Sequence, residues 1–414
     1  MKRKKQNQRI VLILLISLII LAAGIYKSAI LEEAEIETKK ETKIKQEETL
    51  DLEKIEFSTD DDGNKTEIVF GEGCIFTEEE KIQLQKEAVY IAEQCMDFYK
   101  DVEIITPNSE YSYIKIFTDE QRTAVLEQLA KQGVICISDG INMQNNQGVY
   151  QFYQDYCDKK NGMVTIVEVD RDGELSAMTF LHREGQIQTY HIRIGWQQGG
   201  IPKIRTIVVN DLAELKLTEK GYLIYTNMVT GSHSNLRESY RVSPLSDQCR
   251  EFTKKYLYGL SYVNYNMLTI NWDSQNVEDI LMPCMFQDIY RIYTGKNFRA
   301  EQGNIPAEIC EQVMTTCFPI SVEQLRKIYH YNADTDSYEY EIILSKQFPP
   351  FAEVVDYKKN IDGTITLIVD GVWIDYNSDC AFRNQIVIQP LEDGRFRYLS
   401  NSIEAGELQI PEIP

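Results

Sequence analysis

The chain has 414 residues, 43% apolar and 10% aromatic, with 43 Lys and Arg against 64 Asp and Glu for a formal charge of −21. That composition is globular, and the length accommodates two or three domains at roughly 100 to 200 residues each. Such an excess of acid repels phosphate backbones and anionic lipid surfaces, so neither nucleic acid nor a charged bilayer is expected as a ligand.

Five cations (Lys2, Arg3, Lys4, Lys5 and Arg9) precede an uncharged run from Ile10 to Tyr26. A helix of that length spans roughly 25 Å, near the short end of a membrane crossing. The basic leader, residues 1–9, predicts a cytoplasmic N-terminus and export of the chain beyond Tyr26. Localisation at the cell membrane is therefore expected, single-pass with an extracytoplasmic bulk. Ala22-Ala23-Gly24 is compatible with signal cleavage. No cysteine stands just after it, the first being Cys74, which argues against N-terminal lipidation. Residues 10–26 therefore read as a retained signal-anchor. Residues 27–55, dense in charge and free of Gly and Pro, read as a charged stalk.

The first folded block is expected over 56–230. Thr77 with Glu80 three residues on is a capping-box pattern before an apolar-periodic run, predicting a helix over about 78–100. YSYIKIF reads as a strand, DEQRTAVLEQLAKQG as a helix, VICIS as a strand and NNQGVYQFYQDYCDKKNG as a helix. After Gly162 the period becomes two. The turns at Arg171-Asp172-Gly173, Arg183-Glu184-Gly185 and Glu219-Lys220-Gly221 predict a meander of hairpins.

Residues 231–245 read as a linker and 246–414 as a second block. Helices are expected over about 246–258, 276–293, 305–317 and 321–330. The strands YEYEIILS, AEVVDYKKN, TITLIVDGVW, NQIVIQPL and RFRYLSN come next, with turns at Ile361-Asp362-Gly363 and Glu392-Asp393-Gly394. Helices succeeded by adjacent strands in both blocks predict α+β: an N-terminal transmembrane helix, a charged stalk and two domains, each with helices covering an antiparallel β-meander.

No complete catalytic motif is present, and the sequence nominates no catalytic, cofactor-binding or metal residue. Of the four histidines, His182 and His191 flank one hairpin and could face each other across it, while His233 and His330 stand apart. Three stretches approach a calcium loop. STDDDGNKTEIV lacks the final acid, while DYNSDCAFRNQI and NADTDSYEYEII lack both the sixth-position Gly and the final acid, so they read as turns. The nine cysteines include no CxxC and no zinc spacing, and most read as small core residues. Cys310 and Cys317 share a helix face about 10.5 Å apart, too far for a disulfide in a continuous helix. The 25 tyrosines include a cluster in KKYLYGLSYVNYNMLTINW, a composition that can line a peptide or carbohydrate groove.

KYLYGLSYVNYNMLTINW together with DGVWIDYNSDCAFRNQIVIQPLEDGRFRYLSN resembles uncharacterised membrane-anchored proteins of clostridial-type Gram-positive bacteria, over roughly 245–403. That resemblance implies a bacterial, extracytoplasmic setting and no activity or cofactor. The order of elements is also similar to envelope-assembly and conjugation proteins that place nuclear-transport-factor-like domains after one membrane helix. The function expected is a non-catalytic binding or envelope-interaction module without a cofactor, its ligand an envelope protein, peptide or glycan. The alternatives are a cell-envelope hydrolase using paired carboxylates and a scaffold subunit of an envelope machine.

Overall fold

The first described element is a short strand, β1 (Thr66–Phe70), seen in a computed structural model that describes residues 66–70, 73–108, 111–228, 236–300, 303–341 and 349–412. The leader, the anchor segment 10–26, the stalk and His233 lie outside the described residues. Thr77 then starts α1 (Glu78–Glu93) through a reciprocal capping box. Its hydroxyl accepts from the Glu80 amide, and the Glu80 carboxylate accepts from the Thr77 amide at 2.9 Å. The expected helix is interrupted at Gln94–Cys95 and resumes as α2 (Met96–Tyr99). A small hairpin, β2 (Ile104–Asn108) and β3 (Tyr111–Ile114), leads to α3 (Asp119–Lys131), where Thr118 and Gln121 repeat the capping box.

The remainder of the first half is β4 (Cys136–Ser138), β5 (Ile141–Gln144), α4 (Gln147–Cys157), β6 (Gly162–Val169), β7 (Leu175–Arg183), β8 (Gln186–Gln197), β9 (Ile201–Leu217), β10 (Tyr222–Asn227) and β11 (Leu236–Arg241). These strands form a sheet in the order β11-β10-β9-β8-β7-β6-β4-β5, with β1 beside β9. The hairpin pairs are antiparallel, but β1 runs parallel to β9 and β4 parallel to β6. The sheet is covered on both faces. Val167 and Val169 of β6 join a core with α1 and α3, whereas Val164 and Ile166 face Val149 and Phe152 of α4.

These pairings correct the expected fold class. The chain is mixed α/β rather than α+β, because helices and strands interleave, two pairings are parallel, and helices lie on both sides of the large sheet. Among the described residues no helix is long and apolar enough to cross a membrane.

In the second half, Ser246 caps α5 (Asp247–Phe252), which passes into a π-helical turn over Thr253–Leu257. The helix expected over 276–293 is instead two 3₁₀ turns, Val277–Ile280 and Pro283–Met285, and then α6 (Phe286–Thr294). Pro283 has no amide hydrogen to continue an α-helix, so the chain restarts there. Then come β12 (Asn304–Pro306), α7 (Ala307–Cys317), α8 (Val322–Ile328), β13 (Ser337–Glu339), β14 (Phe351–Lys359), β15 (Ile365–Trp373), β16 (Ser378–Pro390) and β17 (Phe396–Ala405). The last four make an antiparallel sheet in sequence order, its inner face packed against the helices in the largest core.

All described residues belong to one compact unit, Thr59–Pro414. Within it the two sheets meet at a charged seam. Glu353, Asp370 and Arg383 occupy one cross-strand row on the outer face of the second sheet. Asp370, only 1% exposed, accepts from Arg383 Nε at 2.9 Å and pairs with Lys220, which lies in the β9–β10 turn. The Lys220 amide donates to Asp379 at 2.9 Å, and Glu353 accepts from the Tyr222 hydroxyl at 2.8 Å beside Arg241. Gly221 allows this turn: its φ is +90°, and a Cβ there would lie 1.8 Å from Ser243 Oγ. Tyr222 and Ile224 complete the seam against Val372 and Ile374.

Removing the Asp370 charge leaves Lys220 and Arg383 without their shared counter-ion. Asp370→Asn is expected to lower unfolding free energy by about 2–4 kcal/mol in urea denaturation. An unchanged midpoint would show that the row is not structural.

Candidate functional site

The outer face of the second sheet is open where it is not in the seam. Along β15 the outward row is Thr366, Ile368, Asp370 and Val372, so its far end enters the seam and its near end remains uncovered. Thr366, Val387 and Ser400 align across β15, β16 and β17, and Gln385 aligns with Ser402. A bulge at Leu399 shifts the register between Val387 and Ile388 and sets Ser400 opposite Val387.

A rim is added by Asn271, Trp272, Asp273 and Asn276, which close a cleft of about 590 Å³. The rim is tied to β17: Trp272 and Asn401 exchange two backbone hydrogen bonds, both 2.9 Å, and the Asn271 side chain accepts from the Ile403 amide at 2.7 Å. Asn276 caps the loop by accepting from the Asp273 amide at 2.9 Å. Beneath the floor lies a closed amide network. Asn384 donates to the Leu268 carbonyl and to Asn401, both at 2.8 Å, and accepts from the Tyr262 hydroxyl at 2.7 Å. Asn401 in turn donates to the Ile270 carbonyl at 2.8 Å. A buried polar network is rigid when its members find partners, so floor and rim are preorganised.

Gln385, Ser400 and Ser402 take no partner among the described residues and present their amide and hydroxyls to the cleft. Asp273 is its one charged lining residue. The site offers hydrogen-bond donors and acceptors in several directions without a cation, a pair of carboxylates or a nucleophile beside a base. Such a lining can exchange hydrogen bonds with a polar ligand.

A buried carboxylate held well above its ordinary range lies elsewhere. Burial, with Asp170, Glu238 and Asp139 nearby, pushes Glu168 of β6 up to about 7, against a smaller opposing effect of the Tyr240 hydroxyl. Glu238 accepts from the Tyr225 hydroxyl at 2.6 Å. These groups lie at the closure of the first sheet and share no lining residue with the cleft.

His182 and His191 do not face each other. His182 pairs with Ile187 and His191 with Met178. The His182 ring meets the Lys160 carbonyl at 2.7 Å, while burial and Arg193 hold His191 down to about 4, so it stays neutral. His330 ends α8 with a φ of +51°. Two of the calcium-like stretches serve as turns: Asp379 holds the Lys220 amide, and Asn332 accepts from the Asp334 amide. Among the described residues no group of three or more His, Cys, Asp or Glu is placed to hold a metal. No disulfide occurs among them, and they include all nine cysteines; burial pushes the thiols of Cys95, Cys136 and Cys317 up to about 12. Tyr256, Tyr262 and Tyr265 from the tyrosine cluster are core residues. The end of that segment, Asn271–Trp272, is what reaches the cleft. Sequence reasoning missed Gln385, Ser400 and Ser402. Their only signal is the alternation of polar with apolar residues in NQIVIQ and YLSNS, which marks any solvated strand face.

Fold and cleft together describe a mixed α/β protein with one side of a sheet left as a polar, ligand-sized surface. The chain belongs to DUF6070, a family of unknown function, whose model matches residues 81–413. No curated protein and no solved structure matches it.

Glu168 keeps its proton up to about pH 7 when folded and releases it near 4.5 when unfolded. The folded state therefore binds more protons between those values. Its contribution is full below about pH 4.5, is lost as pH rises to about 7, and is flat above. Relative to wild type, Glu168→Gln should gain about 1–3 kcal/mol in unfolding free energy between pH 4 and pH 8, read by chemical denaturation. A constant difference across that range would contradict the assignment.

Proposed function

We propose that the chain is a non-catalytic binding module whose ligand is neutral and rich in hydroxyl and amide groups, as envelope glycans are. The observation that carries this reading is the lining of the cleft: Gln385, Ser400, Ser402, Thr366 and the Asp273 carboxylate on a rigid floor, with no cation among them. A carboxylate and an amide accept from vicinal hydroxyls, the amide and hydroxyls donate in return, and the missing cation disfavours phosphate or uronate. The basic leader before the uncharged run Ile10–Tyr26 supports action on the outer side of a cell membrane, with a cytoplasmic N-terminus. The resemblance over 245–403 supports a Gram-positive host.

A hydrolase is the second reading, and the Glu168–Glu238 pair is what favours it. It is weaker because two tyrosines flank those acids and the cleft holds only Asp273.

Titration calorimetry with a soluble β-linked N-acetylglucosamine tetramer separates the two. Saturable binding without turnover is expected, and Gln385→Ala or Ser402→Ala should each weaken it about 5- to 10-fold, the loss of roughly one hydrogen bond. Binding that both variants leave intact would remove the cleft from consideration. Cleavage of the tetramer that is lost in Glu168→Gln would favour the hydrolase.

A further inference from the structure

The seam between the two sheets brings an amine and a buried acid into contact. Lys220 and Asp370 meet there across a sequence separation of 150 residues. Both are held through their backbones. The Lys220 amide donates to Asp379 at 2.9 Å, and its carbonyl accepts from Arg241. Asp370 lies in β15, between Glu353 of β14 and Arg383 of β16 in one ladder row. Its two oxygens have different partners. Oδ1 accepts from Arg383 Nε at 2.9 Å and from the Cys380 thiol at 3.4 Å, while Oδ2 faces the Lys220 ammonium. The Asp370 side chain is 1% exposed, and burial holds its neighbour Glu353 above the ordinary carboxylate range. By contrast, Lys81, Lys100, Lys115, Lys160 and Lys254 pair with acids at least 26% exposed, where water keeps both ions solvated.

We propose that Lys220 and Asp370 condense to an isopeptide bond, an autocatalytic cross-link between the two sheets. Proton transfer within the ion pair gives a neutral amine and a carboxylic acid. The Lys220 nitrogen attacks Asp370 Cγ, so a C–N bond forms and negative charge gathers on Oδ1. Arg383 Nε and the Cys380 thiol already donate to that oxygen, so the charge develops against fixed donors. The Cγ–Oδ2 bond then breaks, and Oδ2 leaves as water with the two protons that the ammonium gives up. One ammonium and one carboxylate become one amide and one water, with no oxidant, nucleotide or metal consumed. In open water hydrolysis dominates such an equilibrium. Here folding itself sets the two groups side by side, and the burial of Asp370 limits the return of water. The bond closes a loop through the seam, fixing the cleft-bearing sheet to the β9–β10 turn. It stands independently of the ligand assigned to the cleft.

Intact mass spectrometry of the purified full chain, denatured before measurement, tests the cross-link. The wild type should weigh one water less than its sequence requires. Tryptic digestion should release a branched peptide joining Lys220 to Asp370, with no cleavage after Lys220. Mapping the bond matters because the Asp-Gly turns at Asp172, Asp362 and Asp393 can also lose water, as succinimides. Lys220→Arg keeps a cation opposite Asp370 but no nucleophilic amine, so it should have its full sequence mass. On a denaturing gel the wild type should run ahead of Lys220→Arg, since its loop of 150 residues stays closed. A wild-type chain at full sequence mass overturns the proposal, even if Lys220→Arg cannot be folded. A water loss that persists in Lys220→Arg, or that maps to an Asp-Gly turn, overturns it too.

Discussion

The contact between the two sheets is arranged around a carboxylate that water barely reaches. Asp370 is buried on the outer face of a sheet, a place that ordinarily faces solvent, and its charge requires compensation there. Arg383 on the next strand supplies one cation, and Lys220 from the first sheet supplies the other. Only the docked arrangement of the two sheets brings Lys220 into place, so the ion pair selects one relative placement. A purely apolar contact made of Tyr222, Ile224, Val372 and Ile374 is too small to be so selective. Directional partners around a buried charge restrict the alternatives far more than area does.

This docking also determines where a ligand surface can exist. The same β15 row that carries Asp370 and Val372 into the seam carries Thr366 out of it. One end of the face is occupied by the first sheet; the other is left bare and bounded by the Asn271–Asn276 rim. The rim stays up because Trp272 is itself buried and bridged to Asn401, adding a partner beside the edge of β17. The amides of Asn384 and Asn401 then do for the floor what a ladder cannot, joining β16, β17 and the 268–270 loop through side chains.

Local signals in the sequence were readable where they depend on neighbouring residues alone. Thr77 and Thr118 cap their helices, and the hairpin turns at Gly173, Gly185, Gly221, Gly363 and Gly394 all have positive φ. Pairing direction is a long-range property and was not readable. β4 and β6 are separated by a hairpin and a helix yet lie parallel, and β1 finds β9 across more than a hundred residues. One clue was present in MVTIVEV, which is apolar at both parities and so is buried on both faces, as strands in parallel pairings commonly are. The site was less legible than the fold. Tyrosine enrichment pointed to 256–265, but those rings fill the core because the helices above them need bulk. Gln385, Ser400 and Ser402 become a surface only through the bulge at Leu399 and a rim drawn from residues far away in sequence.

Strand β10 ties these features together by alternation. Its side chains point to opposite faces in turn, as the pleat demands. Tyr222 and Ile224 point outward, Tyr222 to Glu353 and both to Val372, and so belong to the seam. Leu223 and Tyr225 point inward, with Tyr225 reaching Glu238 at the closure of the first sheet. One short strand thus carries a tyrosine–carboxylate contact on each face, and burial raises the Glu353 carboxyl above its ordinary range. The same short backbone therefore holds Tyr222 in the seam and Tyr225 in the core of the first sheet, so its pairing with β9 and β11 positions both contacts at once.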